Sequence, residues 1–106
     1  KKEGKNMEKA KVYFTKEITP ESVVRLYDIL GVKLNGKVAV KLHSGEEGNQ
    51  NYLRPEFVEN IVKHVNGTVV ECNTAYDGVR NTTEKHEKLM ESHGWSKYFD
   101  VDIMDS

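Results

Sequence analysis

The chain has 106 residues, with 16 lysines and arginines against 17 aspartates and glutamates, giving a formal charge of −1. A near-neutral chain of this length can bury one modest core, and it offers no global attraction to nucleic acid or to an anionic membrane surface. No apolar run approaches the roughly twenty residues of a membrane span, and the single cysteine, Cys72, excludes an internal disulfide or a thiolate-rich metal site made by this chain alone. A cytoplasmic protein with neither nucleic-acid nor membrane partners is the expectation.

Residues 1–10 are lysine-rich and lack an apolar period, so they read as a disordered or expression-derived arm ahead of an α/β domain over residues 11–106. Val12-Tyr13-Phe14-Thr15 is the first predicted strand. A helix follows, with Thr19 as N-cap, Pro20 at the first helical position and Gly31 as its stop. The β-branched run within Lys37–His43 predicts a second strand, whose alternation puts Val38, Val40 and Leu42 on one face and Ala39, Lys41 and His43 on the other.

Apolar spacing over Pro55–Val65 predicts a second helix, closed by Asn66-Gly67, and Thr68–Cys72 a third strand. A capping-box pattern, Asn81 with Glu84 three residues on, opens a third helix that ends at His93-Gly94. Phe99–Met104 alternates as a last strand. Strands separated by helices imply parallel crossovers and hence a three-layer α/β sandwich around a mainly parallel sheet of about four strands. No crossover follows the last strand, so the domain is expected to be incomplete, the amino-terminal fragment of a longer protein.

Two polar loops then leave carboxyl ends of strands, where open α/β sheets bind their ligands. The first contains Lys41, His43, Glu46, Asn49 and Tyr52, with glycines at 45 and 48 that let the backbone turn sharply. The second contains Asn73, Thr74, Tyr76 and Arg80. Together they suggest a cleft for a small anion, with Lys41 and Arg80 as anchors. If the site is catalytic, His43 is the candidate for proton transfer and Glu46 its orienting partner. An alternative metal set is His43, Glu46 and His86, although no established zinc spacing is present.

Structural roles explain many of these residues equally well. Lys41 can pair with Glu71 on the neighbouring strand, and Arg80 with Asp77 or Glu84. His64 and His93 suit the C-terminal ends of helices.

The combined pattern Lys41-x-His43-x-Gly45-Glu46-x-Gly48-Asn49-x-x-Tyr52-Leu53-x-Pro55, Asn73-Thr74-x-Tyr76-x-Gly78-x-Arg80, His86 and His93-Gly94 resembles the amino-terminal part of the domain of unknown function 362, an uncharacterized iron–sulfur center protein family. The resemblance covers nearly everything from Lys11 onward. It implies redox work or electron transfer, as an iron–sulfur-dependent oxidoreductase when joined to the rest of the protein. The implied 4Fe–4S cluster would lie in a C-terminal region beyond this chain, which supplies no cofactor of its own and would take the remainder of the parent protein as its partner. The alternative is a non-catalytic sensor or docking module that binds a small anion or a metal.

Overall fold

A computed structural model describes residues 8–105, so most of the arm expected over residues 1–10 lies outside the described residues. Helix α1, Pro20–Leu30, starts where the sequence predicts. Thr19 Oγ1 accepts from the Ser22 amide while Ser22 Oγ accepts from the Thr19 amide, a reciprocal cap of a kind that contributes about 1 kcal/mol. Gly31 ends the helix in the left-handed conformation at φ 70°. Strand β1, Val38–Lys41, is followed by α2, Pro55–His64, and β2, Gly67–Glu71. Helix α3, Thr83–Ser92, the short α4, Trp95–Tyr98, and β3, Val101–Ile103, complete the order.

The sheet is parallel throughout, in the order β1-β2-β3, with Val40 opposite Val69 and Val69 opposite Val101. Among the described residues it has three strands, not the expected four. Among the described residues Val12–Thr15 has no strand partner, and Val12 and Phe14 are exposed. A run of four residues is a strand only through its ladder, and alternation by itself supplies no partner. For the same reason the predicted strands Lys37–His43 and Phe99–Met104 shrink to their paired residues, while Thr68–Cys72 shifts by one to Gly67–Glu71.

The expected three layers also give way. Val58 and Val62 of α2, Met90 of α3 and Trp95 of α4 meet Val69 and Ile103 in one core cluster, so the connecting helices share one face of the sheet. Helix α1 packs on α2. Consecutive parallel strands laid side by side, joined by crossovers of one hand, return every helix to the same side; a second helical face needs a reversal in strand order.

Helix α3 is capped by Thr82, whose Oγ1 accepts from the Lys85 amide, rather than by Asn81. Asn81 Nδ2 instead donates to Asp77 Oδ1. The last turn of α2 carries His64, where the helix dipole favours a cation, but its Nε2 also reaches Asp28 Oδ1 at 2.8 Å and ties α2 to α1.

Candidate functional site

The carboxyl ends of β1 and β2 converge on one buried carboxylate. Glu71 closes β2 and is 1% exposed. Its Oε2 accepts from the amide and the hydroxyl of Ser44, each at 2.9 Å, and from Arg80 Nη2 at 3.2 Å. Its Oε1 accepts from Lys41 Nζ at 3.2 Å and from the Cys72 amide at 3.3 Å. Burial alone would push this carboxyl up, and it is the largest single influence; the Ser44 donors together with Lys41 outweigh it and hold the group at about 2, against an ordinary 4.5.

That depression makes the fold acid-sensitive. A carboxyl that binds its proton near 4.5 when unfolded and near 2 when folded contributes roughly 3 kcal/mol at neutral pH. The contribution is complete above the unfolded value and is lost as pH falls from about 4.5 towards 2. Urea midpoints measured at pH 6 and pH 3 are expected to differ strongly for the wild type and much less for Glu71→Gln. Equal losses in both proteins would show that Glu71 is not the group responsible.

Arg80 threads through the middle of the site with only 5% exposure. Beyond Glu71, its Nη1 donates to Glu46 Oε2 at 2.9 Å and lies 3.3 Å from the Tyr76 hydroxyl, while Nε donates to His86 Nε2 at 3.5 Å. The Tyr76 hydroxyl also donates to Glu46 Oε2. This bond, followed by the charge and hydrogen bond of Arg80, lowers the Glu46 carboxyl despite an opposing effect of desolvation, and the same carboxylate raises the Tyr76 phenol.

His86 is fully buried. Its Nδ1 sits 3.1 Å from Asn73 Oδ1, whose own Nδ2 donates to Thr83 Oγ1. A ring that gives its Nδ1 proton to Asn73 and accepts from Arg80 at Nε2 is neutral, and burial pushes its pKa down accordingly. His86 is thus a structural acceptor for the arginine.

The sequence-predicted residues divide in three. Lys41, His43, Glu46, Asn73, Tyr76, Arg80 and His86 do form one network. Thr74 stands beside it, its amide donating to the Arg80 carbonyl and its hydroxyl to the Tyr76 carbonyl, which braces the second loop. Asn49 and Tyr52 line a neighbouring cleft of about 320 Å³ together with His43, Gly45, Asn51 and Leu53. Tyr52 is held flat between the His93 ring, stacked at 4.0 Å, and the Arg54 guanidinium, also 4.0 Å from the ring centre.

Several expected roles change. Arg80 pairs with Glu71 and Glu46, not with Asp77 or Glu84, because it points inward under the strand ends. Lys41 pairs with Glu71, the structural role the sequence allowed. The metal set of His43, Glu46 and His86 does not assemble: all three gather around the Arg80 cation, and among the described residues no three His, Cys, Asp or Glu side chains are grouped to hold an ion. With one thiol, the chain's own residues do not fit an iron–sulfur cluster either.

Two residues central to the site, Ser44 and Trp95, are not among the candidates read from the sequence, and His93 is read there only as a helix-terminal and family-pattern residue. Ser44, fully buried, supplies both donors to Glu71, and its carbonyl accepts from Trp95 Nε1 at 2.9 Å and from His93 Nδ1 at 3.0 Å. The signal was present: Glu71 within an apolar strand demands donors, and Ser44 follows the adjacent strand. Trp95, two residues beyond His93, gave no such hint. Gly45 is required here, since its φ is 105° and an added Cβ would lie 2.6 Å from Tyr52 Cβ. A larger cleft of about 560 Å³ opens at the opposite end of the strands, beside Asn66, Gly67 and Asp100, but its charged side chains are exposed and form no comparable cluster.

With this geometry established, comparison with family models matches the chain to Domain of unknown function (DUF362) over residues 38–104. The chain belongs to the DUF362 family. The matched segment begins at β1 and runs just past β3, so every residue of the Glu71–Arg80 network falls inside the DUF362 region. Comparison with curated proteins and with solved structures returned no match. No helix among the described residues of this DUF362 chain is long and apolar enough to cross a membrane.

Proposed function

We propose that this DUF362 domain binds a small anionic ligand at the carboxyl ends of β1 and β2, with His43 Nε2–H as the donor that meets it. One observation carries the reading. Both ring nitrogens of His43 face donors: the Gly45 amide approaches Nδ1 at 3.0 Å, and Arg80 Nη1 approaches Nε2 at 3.3 Å. A neutral imidazole has one acceptor nitrogen and one N–H. With the acceptor turned to Gly45, the Nε2–H lies beside a guanidinium N–H, and two neighbouring donors at the mouth of a cleft call for a shared acceptor. An oxyanion satisfies both.

In a catalytic version, His43 exchanges a proton with the bound ligand, Glu46 acts on it only through Arg80, and Lys41 keeps Glu71 ionised. The setting we favour is redox chemistry, which rests on the family resemblance: this cytoplasmic domain would bind and orient the ligand. A 4Fe–4S cluster, for which this chain's own residues supply no ligand set, would need to be held by further sequence and would supply electron transfer. The non-catalytic alternative, an anion-responsive docking module for the rest of the parent protein, draws on the completeness of the Arg80 pairing, since both carboxylates are already engaged.

Thermal shifts with acetate, phosphate and divalent metal salts test the reading. A ligand at a hundredfold excess over its Kd contributes about 2.7 kcal/mol, on the order of 10 °C in Tm for a domain of this size. The wild type is expected to shift with at least one anion, and His43→Ala, whose side chain is exposed, to fold normally and lose most of that shift. Equal shifts in the two proteins would remove His43 from the site.

A further inference from the structure

We infer that the ligand of this cleft is a monocarboxylate that takes the place of Glu46 on Arg80, an inference that rests on the anion-binding reading above. Arg80 is held by two carboxylates of unlike standing. Glu71, 1% exposed, is fixed from several sides and carries the inner end of the guanidinium. Glu46 has a side chain 40% exposed and meets the outer end at Nη1. Its other side-chain partner is the hydroxyl of Tyr76, a residue that is itself 56% exposed. Turning Glu46 out to solvent therefore leaves the Arg80–Glu71 pair and the core untouched.

The donors that Glu46 would release already point at one place. Arg80 Nη1 and the Tyr76 hydroxyl lie 3.3 Å apart, and His43 Nε2 lies 3.3 Å from the same Nη1. Glu46 meets the first two through a single oxygen, Oε2, and has no hydrogen bond to His43. An incoming carboxylate has two oxygens and can accept from all three donors at once. Glu46 is in this sense an internal stand-in for the ligand, one that leaves the His43 donor unanswered. The body of such an acid has the cleft of about 320 Å³ beside His43 to occupy, with Asn49, Asn51 and Leu53 among the residues that line it.

Charge selects the class. Lys41 and Arg80 balance Glu46 and Glu71 one for one. Exchanging the Glu46 carboxylate for a ligand carboxylate leaves the network neutral. A phosphate dianion would add a second negative charge beside Glu71, with no further cation in the network to meet it.

The test is isothermal titration of the wild type, Glu46→Gln and Glu46→Ala with propionate and with inorganic phosphate, after checking that each variant unfolds with wild-type cooperativity. Propionate is expected to bind the wild type, and both variants on the order of tenfold tighter, because the competing carboxylate is gone. Phosphate is expected to bind none of the three appreciably. Propionate affinity that is unchanged or weaker in both variants would overturn the inference, as would phosphate binding without propionate binding, which would leave the broader anion reading standing. Failure of both probes to bind any of the three proteins would remove both readings.

Discussion

Arg80→Ala is expected to destabilise the protein by about 3–5 kcal/mol, because it strips the cation from a carboxylate that stays buried. Glu71 is 1% exposed and would keep the donors of Ser44 and Lys41, but Lys41 is itself 54% exposed and is a poor substitute for a buried guanidinium. His86 would lose the donor to its Nε2, and Glu46 its ion pair. The loss is a large share of the 5–15 kcal/mol typical of a small domain. Lysine is not expected to rescue it, since one ammonium does not reach Glu71, Glu46 and His86 in the fork geometry that the guanidinium provides. The decisive comparison is Arg80→Met with and without Glu71→Gln in urea unfolding: removing the stranded charge should restore a substantial part of the stability. Additive losses in the double variant would mean that the two side chains are not coupled.

Trp95→Ala is expected to cost a similar 3–5 kcal/mol by a different route, the cavity left by a large core side chain. Trp95 has no exposure and lies at the centre of the cluster that joins α2, α3 and the sheet. Its indole N–H also fixes the Ser44 carbonyl, and Ser44 in turn fixes Glu71. Trp95→Phe keeps most of the apolar volume and loses the hydrogen bond, at a cost of about 1 kcal/mol. The two routes are separable by acid titration. Trp95→Ala should retain the loss of stability between pH 4.5 and 2 that Glu71 produces, whereas Arg80→Met with Glu71→Gln should not. A Trp95→Ala protein as stable as the wild type would show that the core is not organised around this residue.

The helices were legible because their signals are local. Thr19, Pro20 and Gly31 bound α1 through caps that involve only neighbouring residues, and Pro55 opens α2 in the same way. Where two capping residues stood side by side, local reading chose Asn81 and the chain uses Thr82. Strands were less legible. Val12–Thr15 and Val38–Lys41 alternate comparably, yet only the second has a neighbour to pair with, and pairing is decided far away in sequence. The short helix α4 gave no sign, since four residues carry no period.

In the site, the sequence by itself determined the inventory and its address: Lys41 at the end of a strand, His43, Glu46, Asn73, Tyr76 and Arg80 on the loops that leave strand ends, and His86 on the helix that follows. It also determined that Glu71, an acid in an apolar strand, needed a cation. The tertiary structure alone added Arg80 to Lys41 as its second cation, and decided how deeply that pair lies. Arg80 turns inward beneath the strand ends, so that Glu46 is drawn to its outer edge, His86 becomes its neutral acceptor and His43 Nε2 comes to lie beside Nη1. The physical reason is that charge type is written in each residue, while burial and pairing depend on contacts between loops some thirty positions apart, and these exist only once β1 and β2 lie side by side.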